Sequence, residues 1–414
     1  MTVRDVSFRC IRCGALYDAS QDYFGCPACA EEGIAVNLEV SYAEPLSLTP
    51  RSGVHGVWRW DGALPISWDG AVSLGEGGTP LVPCETVGVD VGAQSLFAKN
   101  ESQNPTWSFK DRLGTLAVSW ARAHARRGIA VSSSGNAGAT AAAYAARAGL
   151  ACIVFTTRSF PGPMLRFMQS FGAMVVCTPT ATDRWVLNRA VSKEWGFMPL
   201  SNLMSPPVGS HPVAIEGCKT IAYELVEDLG GHAPDVVVIP AAYGDSTAGI
   251  HRGFRDLVEA GVTDRLPRIV VAETYPSLTR ALAEDSPTPP AVDGSGSLAS
   301  SVATPQGTFQ ALRAVRESGG TAVVVSNDEI ERARTALRER EGLLVEFSSA
   351  MPLAAVKKLL ATGEVSSAER IVMLVTSTGL KDPEEMNDHG EAPDVQPTIE
   401  SLANVLEKEY GFAT

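Results

Sequence analysis

The sequence predicts an α/β protein: two lobes of parallel sheet covered by helices, behind a small cysteine-rich N-terminal module. Three observations predict it. Apolar, β-branched runs alternate with helix-like segments, the pattern of parallel strands buried on both faces. The 414 residues, 45% of them hydrophobic, are too many for one ordinary core and apolar enough to fill two. Four cysteines fall near the N-terminus as two CxxC pairs.

In chain order, the cysteines come first. "CIRC" carries Cys10 and Cys13, and "CPAC" carries Cys26 and Cys29. Four thiolates at this spacing can converge tetrahedrally on zinc, and with every position filled the metal is structural. Two redox pairs, or a knuckle without its metal, are the alternatives. Cys84, Cys152, Cys177 and Cys218 are scattered and read as small hydrophobes. Next, "RRGIAVSSSG" is a short strand into a loop, and "AGATAAAYAARAG" an Ala-rich helix ended by Gly149. "ACIVFTT" is a strand, and "DVVVIPAAYGDSTAGIHRGFRDLVEAG" a strand, loop and helix. "RIVVAET" and "TAVVVS" are strands. "SNDEIERARTALRERE" is a helix opened by a capping box of Ser326 and Glu329. "RIVMLVTSTG" is the last strand. The Pro, Ser and Gly-rich stretch 284–301 reads as a mobile connection, and 381–397 as an acidic exposed loop before a terminal helix.

Charge narrows the function. A net charge of −13 works against nucleic acid and anionic membranes, which reward basic patches. The start of the chain lacks an apolar run of signal-peptide length, and no window is long enough to cross a bilayer. A cytoplasmic protein with reduced cysteines is expected.

Three loops could share one ligand. In "NPTWSFKDR" Lys110 stands among Trp107, Phe109 and Arg112. A lysine forms a Schiff base only as the neutral amine, so apolar bulk and nearby positive charge favour it. "SSSGNAG" lies between a strand and a helix. Ser133, Ser134 and Asn136 offer donors there, and the helix start offers free N–H groups, a seat for a carboxylate. "PAAYGDSTAGIHRG" follows a strand with small residues at Ala242, Gly244, Ser246, Thr247 and Gly249. Such a loop can wrap a phosphate, yet it has neither the GK[ST] ending of a nucleotide loop nor GxGxxG spacing. Each loop alone also reads as an ordinary cap or turn. Together they supply a nucleophilic amine, a carboxylate seat and a phosphate cradle, which is what pyridoxal phosphate and an amino acid require.

"LGEGGTPLVP", "KNESQNPTWSFKDR", "SSSGNAGATAAAYAARAG", "EGCKTIAYELVEDLG" and "TSTGLKDP" resemble threonine synthase and its relatives, fold-type II pyridoxal phosphate enzymes of the tryptophan synthase beta superfamily. The resemblance implies two doubly wound, three-layer α/β lobes with the cofactor between them. The smaller lobe is expected at 105–205, inserted in a larger one formed by 41–104 and 206–414, after a zinc-ribbon-like segment at 1–40. It implies that Lys110 binds the cofactor covalently and moves protons at Cα and Cβ. Asn136 would meet the pyridine 3-hydroxyl, and Ser133, Ser134 and Ala137 the substrate carboxylate. The loop Ala242, Tyr243, Gly244, Asp245, Ser246 and Thr247 would hold the cofactor phosphate, and Thr376 the pyridine nitrogen. A homodimer acting on a small amino acid is implied as well. Lys99, Lys219 and Lys381 also lie in family-like motifs and read as structural.

The sequence departs from the family where a substrate phosphate is gripped. The segment before "EGCKT" resembles NSxNPxR in such enzymes, and here Val208, Gly209 and Ala214 take the Asn, Ser and Arg positions. A lost bidentate Arg contact is worth roughly 1.5–3 kcal/mol. Tyr243 replaces an expected Asn, and Trp107 an expected Gly, which should narrow the pocket beside the substrate. The reading is therefore a lyase acting at Cβ or Cγ of a small L-amino acid, by elimination or replacement, without the family's phosphate grip. Arg166, Arg184 or Arg189 could restore the charge. Two rivals stay open: a true threonine synthase, and a non-catalytic zinc-ribbon interaction protein with a vestigial pocket. The six histidines form no HxH or HExxH pattern, against a metal hydrolase.

Overall fold

The computed structural model describes residues 3–158, 162–382 and 392–412. Most of the expected acidic loop, including Pro383, lies outside them.

The N-terminal module is an antiparallel sheet in the order β2-β1-β3, made of β1 (Val6–Cys10), β2 (Leu16–Asp18) and β3 (Leu38–Tyr42). A short helix, α1 (Pro27–Glu31), starts at the second cysteine pair, where Cys26 accepts from the Cys29 N–H and proline fills the first position. The chain then contributes β4 (Leu81–Pro83), α2 (Glu85–Val91) and β5 (Ser95–Asn100) to a larger sheet.

A separate all-parallel sheet follows, built from β6 (Gly128–Ser132), β7 (Ala151–Thr157), β8 (Met174–Thr178) and β9 (Phe197–Pro199) in the order β8-β7-β6-β9. Its helices are α3 (Lys110–Ala123), α4 (Asn136–Ala148), α5 (Gly162–Ser170) and α6 (Ala181–Trp195). α4 stops where expected, at Gly149 in the left-handed conformation, φ +67°.

The chain returns through α7 (Pro212–Asp228), β10 (Val236–Pro240), α8 (Asp245–Glu259), β11 (Arg268–Glu273), α9 (Ser277–Ala283), α10 (Phe309–Glu317), β12 (Thr321–Val324), α11 (Asn327–Glu341), α12 (Phe347–Thr362) and β13 (Arg370–Val375), with α13 (Ile399–Tyr410) last. The large sheet runs β12-β11-β10-β13-β5-β4, parallel except for the edge strand β4. β10, "VVVIP", is buried at every residue because helices cover both faces. The capping box of Ser326 and Glu329 opens α11 as expected. Among the described residues, no helix is long and apolar enough to cross a membrane.

The segment 284–301 is mostly irregular, yet it is tied down: Ser277 Oγ donates to the Pro290 carbonyl, Gln306 to that of Pro289, and Asn327 to that of Gly296.

α3 carries Lys110, and its position is set by a buried ion cluster. Arg112 is fully buried and donates to Glu101 at 2.7 Å and to Glu224 at 2.7 Å. Lys99 reaches Glu224 and Asp228, both at 2.9 Å. The cluster joins α3 to β5 and α7. Gly217 lets α7 come close: a Cβ there would lie 1.9 Å from the Arg112 carbonyl oxygen. Burial alone would raise the Glu224 pKa, but the charges of Arg112 and Lys99 outweigh it and hold the carboxyl at about 2.

Arg112→Leu leaves Glu101 and Glu224 buried without their counter-charge. Urea unfolding is expected to show a loss of about 3–5 kcal/mol; a loss below about 1 kcal/mol contradicts the clamp. The Glu224 pKa is depressed on folding, so its contribution is complete above its unfolded value of 4.5 and is lost as pH falls towards about 2. In Glu224→Gln, unfolding titrations should show a smaller loss of stability across that window.

Candidate active site

Lys110 is the first residue of α3, and the loop before it is closed by its own side chains. The backbone N–H and hydroxyl of Thr106 both donate to Asp111, at 2.6 and 2.5 Å. Burial raises the Asp111 pKa to about 6, against the pull of those bonds. The Phe109 N–H donates to the Thr376 carbonyl at 3.0 Å, tying the loop to the end of β13. The Lys110 amine lies 4.7 Å from the centre of the Phe109 ring and 4.0 Å from Asp245 Oδ2, so it stands between an apolar face and a carboxylate.

Trp107 sits at φ +60°, where a side chain costs about 1–2 kcal/mol and glycine almost nothing. That accounts for the glycine expected there. Its carbonyl accepts from Ser377 Oγ at 2.9 Å, and its ring stacks at 5.4 Å on Phe167 of α5. The ring stays 46% exposed and covers the α5 side of the loop.

Asn136 opens α4, and its amide is engaged at both ends. Nδ2 donates to the Glu346 carboxylate at 3.1 Å; Oδ1 accepts from Lys381 at 2.5 Å and from Ser377 Oγ at 3.4 Å. The Lys381 amine also reaches the Thr106 carbonyl at 2.6 Å. Burial draws the Lys381 pKa below the ordinary lysine value, opposed by Glu346 and Asp111. Thr376 is buried, its hydroxyl 2.7 Å from Ser349 Oγ on α12.

Ser133, Ser134 and Ala137 lie at the start of α4. Ser133 Oγ accepts from the Gly135 N–H, and Ser134 Oγ accepts from Thr156 at 2.7 Å and from Arg184 at 3.5 Å, leaving its own proton to donate. The third loop turns into α8 at Gly244, φ +69°, and a Cβ at Gly244 would lie 2.3 Å from the Ala311 Cβ. The first-turn N–H groups of Asp245, Ser246 and Thr247 point out of the helix start. Thr247 Oγ is buried without a partner among the described residues. The Asp245 carboxylate is held by Ser210, whose hydroxyl donates at 2.6 Å, and by Gln310 at 2.9 Å. Ala242 and Tyr243 are half-buried, and the Tyr243 carbonyl accepts from Thr308. An orphaned hydroxyl and free N–H groups on one helix start, with an amine close by, suit a phosphate-bearing aldehyde.

The structure therefore brings the three loops together. The ion pair Lys110–Asp245 joins the first loop to the third, and the bonds among Trp107, Ser377 and Asn136 join the first to the second. Sequence reasoning missed Glu346 and Gln310, which lie in no motif, and gave no role to Ser377 of "TSTGLKDP" or to Ser210 in the segment before "EGCKT". Lys381, read as structural, borders the site on Asn136. Lys99 and Lys219 are buried in ion pairs, the latter with Glu216 and Asp256. His211 caps α7 and packs on Phe8.

The four N-terminal cysteines form one group, with all Sγ atoms within 4.8 Å of one another. Cys10 and Cys29 are 3.6 Å apart, and Cys13 and Cys26 3.7 Å. The module touches the site indirectly. Asn37 donates to the Ser210 carbonyl at 3.0 Å and to Gln310 at 3.2 Å, the two residues that hold Asp245.

The family described as "Pyridoxal-phosphate dependent enzyme" matches residues 72–377. A threonine synthase of Methanocaldococcus jannaschii is 32% identical over 407 residues, 97% of this chain and 98% of that protein. A threonine synthase of Mycobacterium tuberculosis is 32% identical over 362 residues, 87% of this chain and 96% of that one. Threonine deaminase isoform 2 of Solanum lycopersicum shares the fold at a TM-score of 0.64 and 20% identity, over 84% of this chain and 98% of that one. The chain belongs to the pyridoxal-phosphate dependent enzyme family, as a threonine synthase-like lyase of fold type II.

Proposed function

We propose that this lyase eliminates or replaces a group at Cβ or Cγ of a small L-amino acid, with Lys110 as the residue that carries the cofactor. The observation that carries the reading is the convergence of Lys110, the Asn136 loop and the start of α8. Lys110 is the amine left half-buried beside this opening, whereas Lys381 is committed to Asn136 and Thr106. The site lies between a lobe formed by 105–205 and a larger one formed by 41–104 and 206–414.

Pyridoxal phosphate, when bound, supplies an electron-withdrawing ring that stabilises negative charge at the substrate Cα. The chain's residues do the rest. Ser246, Thr247 and the N–H groups at the start of α8 would hold the phosphate. Asn136, its amide oriented by Glu346 and Lys381, would meet the ring hydroxyl. The Thr376 hydroxyl would face the ring nitrogen and, unlike a carboxylate, would not hold it protonated, which would favour chemistry at Cβ and Cγ over transamination. Ser133, Ser134 and the Ala137 N–H hold the substrate carboxylate. The Lys110 amine moves protons at Cα and Cβ.

The residues at the family's grip positions support a reading without that grip. A Cβ at Gly209, φ +103°, would lie 2.4 Å from Gln310 Nε2 and 2.5 Å from Asp245 Oδ1. Val208 packs over Gly25, and Ala214 is fully buried. The second reading is a true threonine synthase, favoured by relatives of that name along nearly the whole chain. Purified enzyme with O-phospho-L-homoserine separates the two. The first reading expects threonine formation at least about 100-fold slower than turnover of its best Cβ-substituted amino acid. Threonine as the main product at the higher rate overturns it.

The same reading gives Cys10, Cys13, Cys26 and Cys29 a structural zinc. Four Zn–S bonds of about 2.3 Å set sulfur atoms about 3.8 Å apart, close to the spacing found. A cytoplasmic homodimer is the expected setting. Metal analysis should return one zinc per chain. Asn37→Leu should weaken cofactor binding several-fold, because unpairing Gln310 and the Ser210 carbonyl costs about 1–3 kcal/mol next to Asp245. A metal-free protein with undiminished thermal stability contradicts the zinc assignment.

A further inference from the structure

Asp245 is a buried carboxylate with an acceptor position left open beside the reacting amine. It is the first residue of α8, where the helix dipole favours negative charge. Its Oδ1 accepts from the Ser210 N–H at 3.0 Å and from Gln310 Nε2 at 2.9 Å, which fills both lone pairs. Its Oδ2 accepts from the Ser210 hydroxyl at 2.6 Å, so one lone pair stays open on the oxygen that lies 4.0 Å from the Lys110 amine. Gly209 makes room for this arrangement, because a Cβ there would come within 2.5 Å of Oδ1.

Among the described residues, Asp245 is the one carboxylate at ion-pair distance from Lys110. The neighbouring charges are committed elsewhere. Asp111 accepts from Thr106, Arg112 is shared by Glu101 and Glu224, and Lys381 and Glu346 hold Asn136. Cys218 on α7 is a thiol whose pKa is raised by burial, so it stays neutral. A carboxylate beside Lys110 works against the neutral amine that joins an aldehyde. It suits a later step, in which the same nitrogen carries a proton inside a half-buried opening.

We propose that Asp245 is a second catalytic residue of this lyase, the counter-ion that stabilises Lys110 as an ammonium during proton transfer. This rests on the reading of Lys110 given above. Lys110 takes the proton from the substrate Cα, and the electron pair of that C–H bond stays on the substrate. The ammonium so formed is held against Asp245 Oδ2. In an elimination at Cβ, the bond to the leaving group then breaks with its electron pair. The leaving group takes the proton from the ammonium, and Lys110 is neutral again. Asp245 keeps its negative charge throughout.

The test follows exchange of the Cα hydrogen of L-alanine with solvent deuterium in the holoenzyme, a reaction that needs no leaving group. Asp245→Asn should slow the exchange about 100-fold with KM little changed, and Asp245→Glu should keep about a tenth of the wild-type rate or more. Asp245→Ala should be slowed as much as Asp245→Asn, and added formate should restore about ten-fold in the Ala variant alone, where the carboxylate's place is empty. A second readout needs no turnover. In the full chain before pyridoxal phosphate is added, Lys110 should react with fluorodinitrobenzene several-fold faster at neutral pH in Asp245→Asn than in wild type, because its counter-charge is gone. If the Asp245 variants do not fold, Ser210→Ala decides: it frees a second acceptor on Oδ2, and Lys110 should react more slowly than in wild type. Wild-type exchange rates in the Asn and Ala variants overturn the proposal. So does a loss that neither formate nor Asp245→Glu relieves, or a Lys110 reactivity that none of the variants changes. Borohydride reduction that leaves Lys110 without a pyridoxyl group overturns the underlying reading instead.

Discussion

The site depends on where α3 begins, and Arg112 determines that. Two residues past Lys110, its guanidinium is shared by Glu101, at the end of β5, and Glu224 on α7. Four N–H···O contacts in a dry environment leave no slack in the first turn of the helix. Buried pairs of this kind add little net stability compared with well-packed apolar residues, but they penalise every other arrangement of the same elements. Here the arrangement they select turns Lys110 to face Phe109 and Asp245. The apolar neighbours of the lysine thus come from its own loop, and its charged neighbour from the other side of the opening.

Around that fixed lysine, the remaining groups are held by partners far away in sequence. Glu346 and Lys381 grip opposite ends of the Asn136 amide, so its oxygen and nitrogen cannot exchange places without breaking both contacts. Ser210 and Gln310 restrain the Asp245 carboxylate, and Asn37 of the N-terminal module restrains them in turn. The cysteine-rich module is in this way connected to the opening through three buried polar residues.

Much of this was legible in the sequence, for local reasons. The β-branched runs became the parallel strands, Gly149 ended α4, and the Ser326–Glu329 box opened α11, because each rests on neighbouring residues. The three loops could be singled out because each combines small or polar residues with a strand end. Glu346, Ser377 and the placement of Lys381 could not, since their partners are more than 200 residues away and no spacing encodes the pairing. Composition also misread 284–301: its prolines and serines suggested mobility, while the bonds to Ser277, Gln306 and Asn327 come from elsewhere in the chain. Trp107, expected to narrow the pocket, packs its ring against Phe167 of α5, a partner that no spacing in the sequence announced.

The central claim is chemical: of the two amines at the site, the one at position 110 carries the cofactor. Borohydride reduction of the holoprotein, followed by digestion and mass mapping, tests it directly. The account predicts a pyridoxyl group on the peptide containing Lys110 and none on the peptide containing Lys381. A label on Lys381, or a cofactor that washes away unreduced, would contradict it.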